Sequence, residues 1–318
     1  MSHRKTEPVW PKVSVLIPCY NAERFVCEAV QSALDQTYAN VEVVVVDDGS
    51  TDGSVDVLKS FGDQIRLEAG PNRGACLARN RAFELSSGQY VQYLDSDDRI
   101  EPTKIETQLP WLTSNRADMV LCNIGLFGDE EGPRLEGHQH PEPVGDPMLY
   151  LAEYGIATCA PIWKRDWVTR VNGFMPGLKR GQEADFHLRI ASLNPRLVML
   201  DDILVWVRMH DGPKVSHRKA DPNQIVECLC GLANLIETNQ TWTQPRRQWL
   251  AKKLLESSRV CFASGDQKIA AVGLRAAVNF LPEIVNADRL SRRLLTKLLG
   301  ITRAESLVCW LRILAGRS

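Results

Sequence analysis

The sequence predicts an α/β fold: a mostly parallel sheet that carries the chemistry, followed by a C-terminal helical region. Three observations predict it. Short β-branched runs alternate with segments of helical periodicity from Val13 to Gly125. Polar and acidic clusters follow directly on the strand runs, where open parallel sheets bind ligands. Beyond a polar stretch from Asp211 to Pro222, punctuated by Gly212-Pro213 and Asp221-Pro222, the pattern is helical with few strand signals. The expected domains are therefore 1–220 and 221–318.

Val13-Ser14-Val15-Leu16-Ile17 is an apolar, β-branched run stopped by Pro18, as expected of a buried strand. From Ala22 to Gln36, Phe25, Val26, Ala29, Val30, Ala33 and Leu34 recur at helical spacing. Val41 to Val46 is a second buried strand, ending at Asp47-Asp48-Gly49-Ser50-Thr51-Asp52. Strand, helix, strand is a βαβ unit with parallel pairing and a right-handed crossover. Ser50-Thr51-Asp52 supplies capping chemistry for a helix over Ser54 to Phe61. Gly70 to Gly74 reads as a turn, Ala75 to Leu85 as a helix, and Tyr90 to Leu94 as a strand running into Asp95-Ser96-Asp97-Asp98. Pro102 to Leu112 reads as a helix and Asp118 to Gly125 as a strand. Phe127 to Pro147 reads as a long lid or binding loop. Leu290 to Leu299 and Leu307 to Leu314 carry Leu at helical spacing beside Arg292, Arg293, Lys297 and Arg312. They read as part of a helical cap; a peripheral membrane-surface helix or a homodimer helix stays open.

A formal net charge of -1 gives no global field for nucleic acid. The nine cysteines show no zinc spacing and read as buried small hydrophobes in a reducing cytoplasm. No apolar run reaches the roughly 20 residues that span a bilayer, so membrane work would be peripheral, at the inner face.

Several strand-end clusters converge on one edge: Cys19-Tyr20-Asn21, Asp47-Asp48 and Asp95-Ser96-Asp97-Asp98. A nucleotide needs acceptors for its base N–H and ribose hydroxyls, and its diphosphate needs a divalent cation on hard oxygen ligands. Ser14-Val15-Leu16-Ile17-Pro18-Cys19-Tyr20-Asn21, Val46 to Asp52, Asn72-Arg73-Gly74 with Ala78-Arg79-Asn80, and Tyr93-Leu94-Asp95-Ser96-Asp97-Asp98 resemble, in order and spacing, the motifs of family 2 glycosyltransferases. The resemblance covers roughly Lys12 to Arg218. It implies the Rossmann-like GT-A fold, an inverting mechanism and Mn²⁺ or Mg²⁺ as cofactor.

The resemblance also implies roles. Pro18, Tyr20, Asn21, Asp47, Asp48, Arg79, Asp95 and Ser96 would meet the nucleotide sugar, with Asp48 accepting from the base and Tyr20 packing on it. Asp97 would bind the metal and Asp98 would support; Asp47 and Asp98 read equally as turn-forming and capping residues. Gly181 to Arg189 resembles the family's "ED" region, placing Glu183 as the general base, with Asp185 as the alternative. The plain reading of Asp185 is a pair with Arg189. Val207-Arg208-Met209-His210 resembles the "R-x-H" stretch, with Arg208 neutralising phosphate and His210 holding metal or diphosphate. His138 and His140 read as loop residues, and Trp163 and Trp167 as core packing rather than sugar stacking.

The implied donor is a nucleotide-diphosphate sugar, with UDP the favoured nucleotide. The acceptor is a glycan, lipid-linked or protein hydroxyl in cell-surface polysaccharide, lipid-linked glycan or glycoprotein assembly. A nucleotidyltransferase would want a Gly-rich basic loop after the first strand, and Pro18-Cys19-Tyr20-Asn21 is not one. A non-catalytic binding protein on the same fold is the third reading, hinted at only by Glu rather than Asp at position 183.

Overall fold

The computed structural model describes residues 10–128, 135–136, 139–210, 220–282 and 284. The chain divides into two compact units, Met1–Leu178 with Gln182–Pro213, and Lys179–Gly181 with Lys214–Ser318.

In the first unit β1 (Val13–Cys19) lies at the centre of the sheet, its Val13, Val15, Leu16 and Ile17 fully buried. A strand covered on both faces reads as a near-continuous apolar run, which is why Val13 to Ile17 is broken only by Ser14, itself buried. β1 pairs in parallel with β2 (Val41–Asp47) on one side and β4 (Tyr90–Tyr93) on the other. β3 (Arg66–Ala69) extends the sheet beyond β2. On the far side of β4 come β8 (Ile162–Lys164), β6 (Met119–Gly128), β9 (Leu197–Met209) and β5 (Arg99–Ile100), giving the order β3-β2-β1-β4-β8-β6-β9-β5. β7 (Leu135–Glu136) pairs with β6. The chain winds outward from β1 through β2 to β3, then returns to the other side of β1 as β4. That reversal opens a crevice at the carboxyl ends of β1 and β4.

α1 (Val26–Leu34) follows β1, α2 (Ser54–Lys59) follows β2, and α3 (Ala75–Leu85) leads into β4. α4 (Lys104–Thr113) precedes β6; α5 (Pro147–Tyr154), α6 (Arg165–Arg170) and α7 (Gln182–Ala191) follow it. The second unit contains α8 (Pro222–Thr238), α9 (Gln244–Ala263) and α10 (Gln267–Phe280). Asp221, Thr243 and Asp266 cap them by accepting from the amides of Asn223, Arg246 and Ile269. The expected helices at Leu290 to Leu299 and Leu307 to Leu314 lie outside the described residues.

Three departures have physical causes. The first helix starts at Val26 rather than Ala22, because the amides of Asn21, Ala22 and Glu23 are taken by the side chains of Ser50, Ser54 and Asp52. The expected loop from Phe127 is shorter, since β6 runs to Gly128 and Asp146 caps α5 at Pro147. The long strand β9 has no apolar signature at its middle, where Asp201 and Asp202 are exposed. There the pairing with β6 shifts register around Asn123, whose amide donates to the Asp201 carbonyl. The cysteines also depart in part: Cys19, Cys76, Cys122, Cys159 and Cys261 are buried, but Cys27 is exposed and Cys228 and Cys230 are half-buried.

β9 and β6 meet closely where Trp206 crosses Gly125; a Cβ on Gly125 would lie 2.3 Å from the Trp206 ring. Gly125→Ala should force the ring off its seat and cost about 1–3 kcal/mol, read as a lower urea midpoint with an unchanged m-value.

Candidate functional site

The loops after β1 and β2 are laced together before any ligand arrives. Asn21, in the left-handed region at φ 49°, accepts from the Thr51 amide at 2.8 Å and donates its own amide to Ser50 Oγ at 2.8 Å. Asn tolerates that backbone because it has no branch at Cβ and can bond locally. Asn21 and the Ser50-Thr51-Asp52 stretch thus spend their polar groups on the loops themselves. Asp47 does turn-forming work, Oδ2 accepting from the Ser50 amide at 3.0 Å, while Oδ1 is buried without a partner. Asp48 clamps the turn after β3, accepting from the Arg73 amide at 2.7 Å and the Gly74 amide at 2.8 Å. A carboxylate offers about four acceptor sites, so these bonds fix Asp48 without exhausting it. Gly49 has to be glycine: its φ is +77° and a Cβ would sit 2.5 Å from the Asn72 amide. Pro18, next to last in β1, is half-buried, and Tyr20 just past the strand is 48% exposed at the crevice mouth.

Arg79, on α3, is 5% exposed and joins two ends of the site. Its Nη2 donates to Asp95 Oδ1 at 2.8 Å and lies 3.6 Å from Glu183 Oε1; its Nη1 donates to Gln182 Oε1 at 2.7 Å. Burial works against the charge, but Asp95 and then Glu183 outweigh it and raise the guanidinium's pKa above its usual range. The guanidinium lies 5.1 Å over the Phe174 ring, which stacks on Phe186 of α7 at 4.1 Å. Phe174 is itself gripped by Asn80, which accepts from its amide and donates to its carbonyl at 2.7 and 2.8 Å. Gln182 and Phe174 were not among the expected site residues; Gln182 adjoins the expected base, which was the available signal.

The acidic cluster turns tightly, with the Asp98 amide donating to the Asp95 carbonyl, and its carboxylates part company. Asp97 Oδ2 lies 3.0 Å from His210 Nε2, bringing the two expected metal ligands together. Asp98 is buried, accepting from the Arg208 amide at 3.0 Å and lying 3.5 Å from Cys159 Sγ. Burial, then Asp97 and Asp95, push the Asp98 carboxyl well above the usual range. Ser96, at the turn, is half-buried. Arg208, expected to neutralise phosphate, meets groups of the chain itself. Its side chain, 4% exposed, donates from Nη2 to Glu28 Oε2 at 2.7 Å and from Nε to the Asp97 carbonyl at 3.1 Å. These bonds hold the guanidinium at the strand end, beside the acidic turn. Among the described residues no group of three or more His, Cys, Asp and Glu side chains forms a metal cage. Two protein ligands still fit Mg²⁺ or Mn²⁺ chemistry, in which substrate phosphates and water complete the shell.

Asp185 forms the pair with Arg189 that its plain reading expected. Its Oδ2 accepts from Arg189 Nη2 at 2.6 Å and Nε at 2.9 Å, in a pair with both side chains largely buried. It therefore braces α7, while Glu183 in the same helix's first turn faces Arg79. Trp163 is fully buried against Phe186 and His187, as its core reading required, and Trp167 lies under Arg170. His140 donates its amide to Asn123 Oδ1; His138 lies outside the described residues.

His187, a buried residue of α7, titrates far below its usual range. Burial, then the Arg79 charge, bring it down to about 3. The unfolded chain binds this proton below pH ~6.5 and the native chain does not, so its contribution to stability falls as pH drops from about 7 towards 5. His187→Leu should therefore flatten the fall of the urea midpoint over that interval relative to the parent.

Comparison with known proteins agrees with this architecture. The glycosyl transferase family 2 model matches residues 14–179. An uncharacterized glycosyltransferase of Rickettsia typhi is 39% identical over 210 residues, 64% of this chain and 65% of that protein. Glycosyltransferase GlyA of Streptococcus pneumoniae is 38% identical over 124 residues, 38% of this chain and 18% of that protein. A Bacillus subtilis protein, TuaG, provisionally named a teichuronic acid biosynthesis glycosyltransferase, is 37% identical over 129 residues, 39% of this chain and 50% of that protein. The chain thus spans about half or less of these last two relatives. S. aureus TarS 1-349, solved in complex with UDP-GlcNAc, shares the fold at a TM-score of 0.69 and 23% identity, over 87% of this chain and 83% of that one. With the family model covering more than half of its length, the chain belongs to glycosyl transferase family 2.

Proposed function

We propose that the chain transfers a sugar, with inversion, from a UDP-sugar to an acceptor hydroxyl in the assembly of a surface polysaccharide, lipid-linked glycan or glycoprotein. The observation that carries the reading is the shared hold of Arg79 on Asp95 and Glu183, beside the Asp97–His210 pair. One guanidinium sets a nucleotide-side carboxylate and a candidate base at a fixed spacing. The nucleotide-sugar complex of TarS and the name of TuaG support the donor class and the setting.

In this reading Tyr20 packs on the base and Asp48 accepts from its N–H, while Asp95 meets the ribose. Glu183 takes the proton of the acceptor hydroxyl as its oxygen attacks the anomeric carbon from the face opposite the diphosphate. The new C–O bond forms as the C–O bond to phosphate breaks, and the nucleoside diphosphate leaves. Asp97 and His210 would hold a divalent cation, which when bound stabilises the charge growing on the leaving group. Among the described residues no helix is long and apolar enough to cross a membrane.

UDP should raise the melting temperature in a thermal-shift assay, more so with Mn²⁺, by mass action. Nucleoside triphosphates outperforming UDP would instead favour nucleotidyl transfer. Glu183→Gln should lower transfer about 10²–10⁴-fold while leaving UDP binding, measured calorimetrically, near the parent value. Asp185→Asn should act mainly on stability, so a comparable loss of transfer without unfolding would move the base to Asp185. UDP binding that ignores Mn²⁺ and tolerates Asp97→Ala would sink the metal assignment.

A further inference from the structure

Glu28 is a polar residue on an otherwise ordinary packing helix, and it receives two arginines. Its Oε2 lies 2.7 Å from Arg208 Nη2 and 3.4 Å from Arg99 Nη1. The arginines come from different strands, Arg208 near the end of β9 and Arg99 at the start of β5, and Arg99 and Trp206 pair across those strands. Both guanidinium groups lie over the Phe127 ring, Arg99 at 4.1 Å and Arg208 at 4.3 Å; Arg208 also lies 4.8 Å over Phe25. Two residues past Arg208 is His210, whose ring packs 4.9 Å from Phe25 and meets Asp97 at 3.0 Å.

We propose that Glu28 is a positioning residue for the metal pair: it anchors the Arg208 guanidinium from α1 and thereby sets His210 opposite Asp97. The proposal rests on the assignment of Asp97 and His210 as the cation's ligands. The backbone of Arg208 is tied to Asp98 and its Nε to the Asp97 carbonyl, so three bonds converge on one residue from both sides of the ligand pair. Of these three bonds, the one to Glu28 ties Arg208 to α1, while β6 pairs with the same strand end through Phe127 and Gly128. Without the Glu28 bond the guanidinium loses its anchor on α1, and the strand end that carries His210 is less firmly set against Asp97.

Magnitudes separate this role from a stabilising one. Glu28 is half-exposed, at 46% of its side chain, and an ion pair in such a place adds about 0–1 kcal/mol to stability. Residues that orient a metal's ligands, by contrast, typically change affinity about 10–100-fold when removed. Glu28→Gln should therefore leave the fold intact and weaken the cation's effect.

The test uses the full chain and UDP as probe, with calorimetric titrations in EDTA and at increasing Mn²⁺, beside hydrogen exchange across Val205 to Met209. Glu28→Gln is expected to bind UDP like the parent in EDTA, to need about tenfold or more Mn²⁺ for half of the gain in affinity, and to exchange faster at the end of β9. Glu28→Asp, which keeps the charge, should recover part of the Mn²⁺ response. Unchanged Mn²⁺ dependence in Glu28→Gln overturns the proposal. So does a loss of UDP affinity that is equal with and without Mn²⁺, which makes Glu28 a scaffold residue. A parent chain whose UDP binding ignores Mn²⁺ overturns the metal assignment itself, and this proposal with it, whatever the Glu28 variants do.

Discussion

Arg79 is buried to 95% of its surface, and a guanidinium in that position needs anions and acceptors around it. Removing one partner of a buried charge costs about 3–5 kcal/mol, because the other charge is left uncompensated. The fold meets the demand with three groups from two places: Asp95 past β4, and Gln182 and Glu183 at the start of α7. The face of the guanidinium is covered by Phe174, and Phe174 by Phe186, so the aromatic stack and the polar hold brace the same helix end. The planar fork of Arg reaches several acceptors in fixed directions, which a lysine ammonium does not. The spacing between the acidic turn and α7 is thus set by one side chain.

The acidic turn shows the same economy. Three carboxylates within four residues repel one another unless each finds a different counterpart. Asp95 takes Arg79, Asp97 takes His210, and Asp98 is drawn inward to the Arg208 amide. Of the three, only Asp98 is buried, and burial with two anionic neighbours keeps its proton on over a wider pH range. A turn carrying fewer charges at once is easier to hold tight, and Asp98 then serves as a strut to β9 while Asp95 and Asp97 stay half-exposed towards the crevice.

Much of this was legible in the residues, but unevenly. Ala75 to Leu85 was readable to the residue as a helix, since Gly74 before it and Ser86-Ser87-Gly88 after it are local signals. The strand ends were readable because a buried parallel strand is a continuous apolar run that stops at a polar residue. β9 was not, because its middle is polar at a register shift and its pairing with β6 depends on residues some 80 positions away, such as Asn123 with Asp201. The contacts of Arg208 were not legible for a related reason: its partner Glu28 is 180 positions earlier, on a helix whose apolar face was its only visible signal. Asn21 was legible as a motif residue, but its bonds to the loop of Ser50 and Thr51 were not.

The two carboxylates of α7 show how far local geometry narrows the proposed chemistry. Glu183 and Asp185 both lie in the helix's first turn, where the helix dipole favours either anion. They differ in what holds them. Asp185 receives two short bonds from Arg189, so taking a proton from a hydroxyl would mean giving up a charge-assisted pair in a largely buried place. Glu183 faces Arg79 at 3.6 Å, beyond hydrogen-bond length, and keeps about a third of its side chain exposed. It is oriented by charge without being tied by a directional bond. An acceptor hydroxyl approaching from the crevice can use its lone pairs without first displacing a partner.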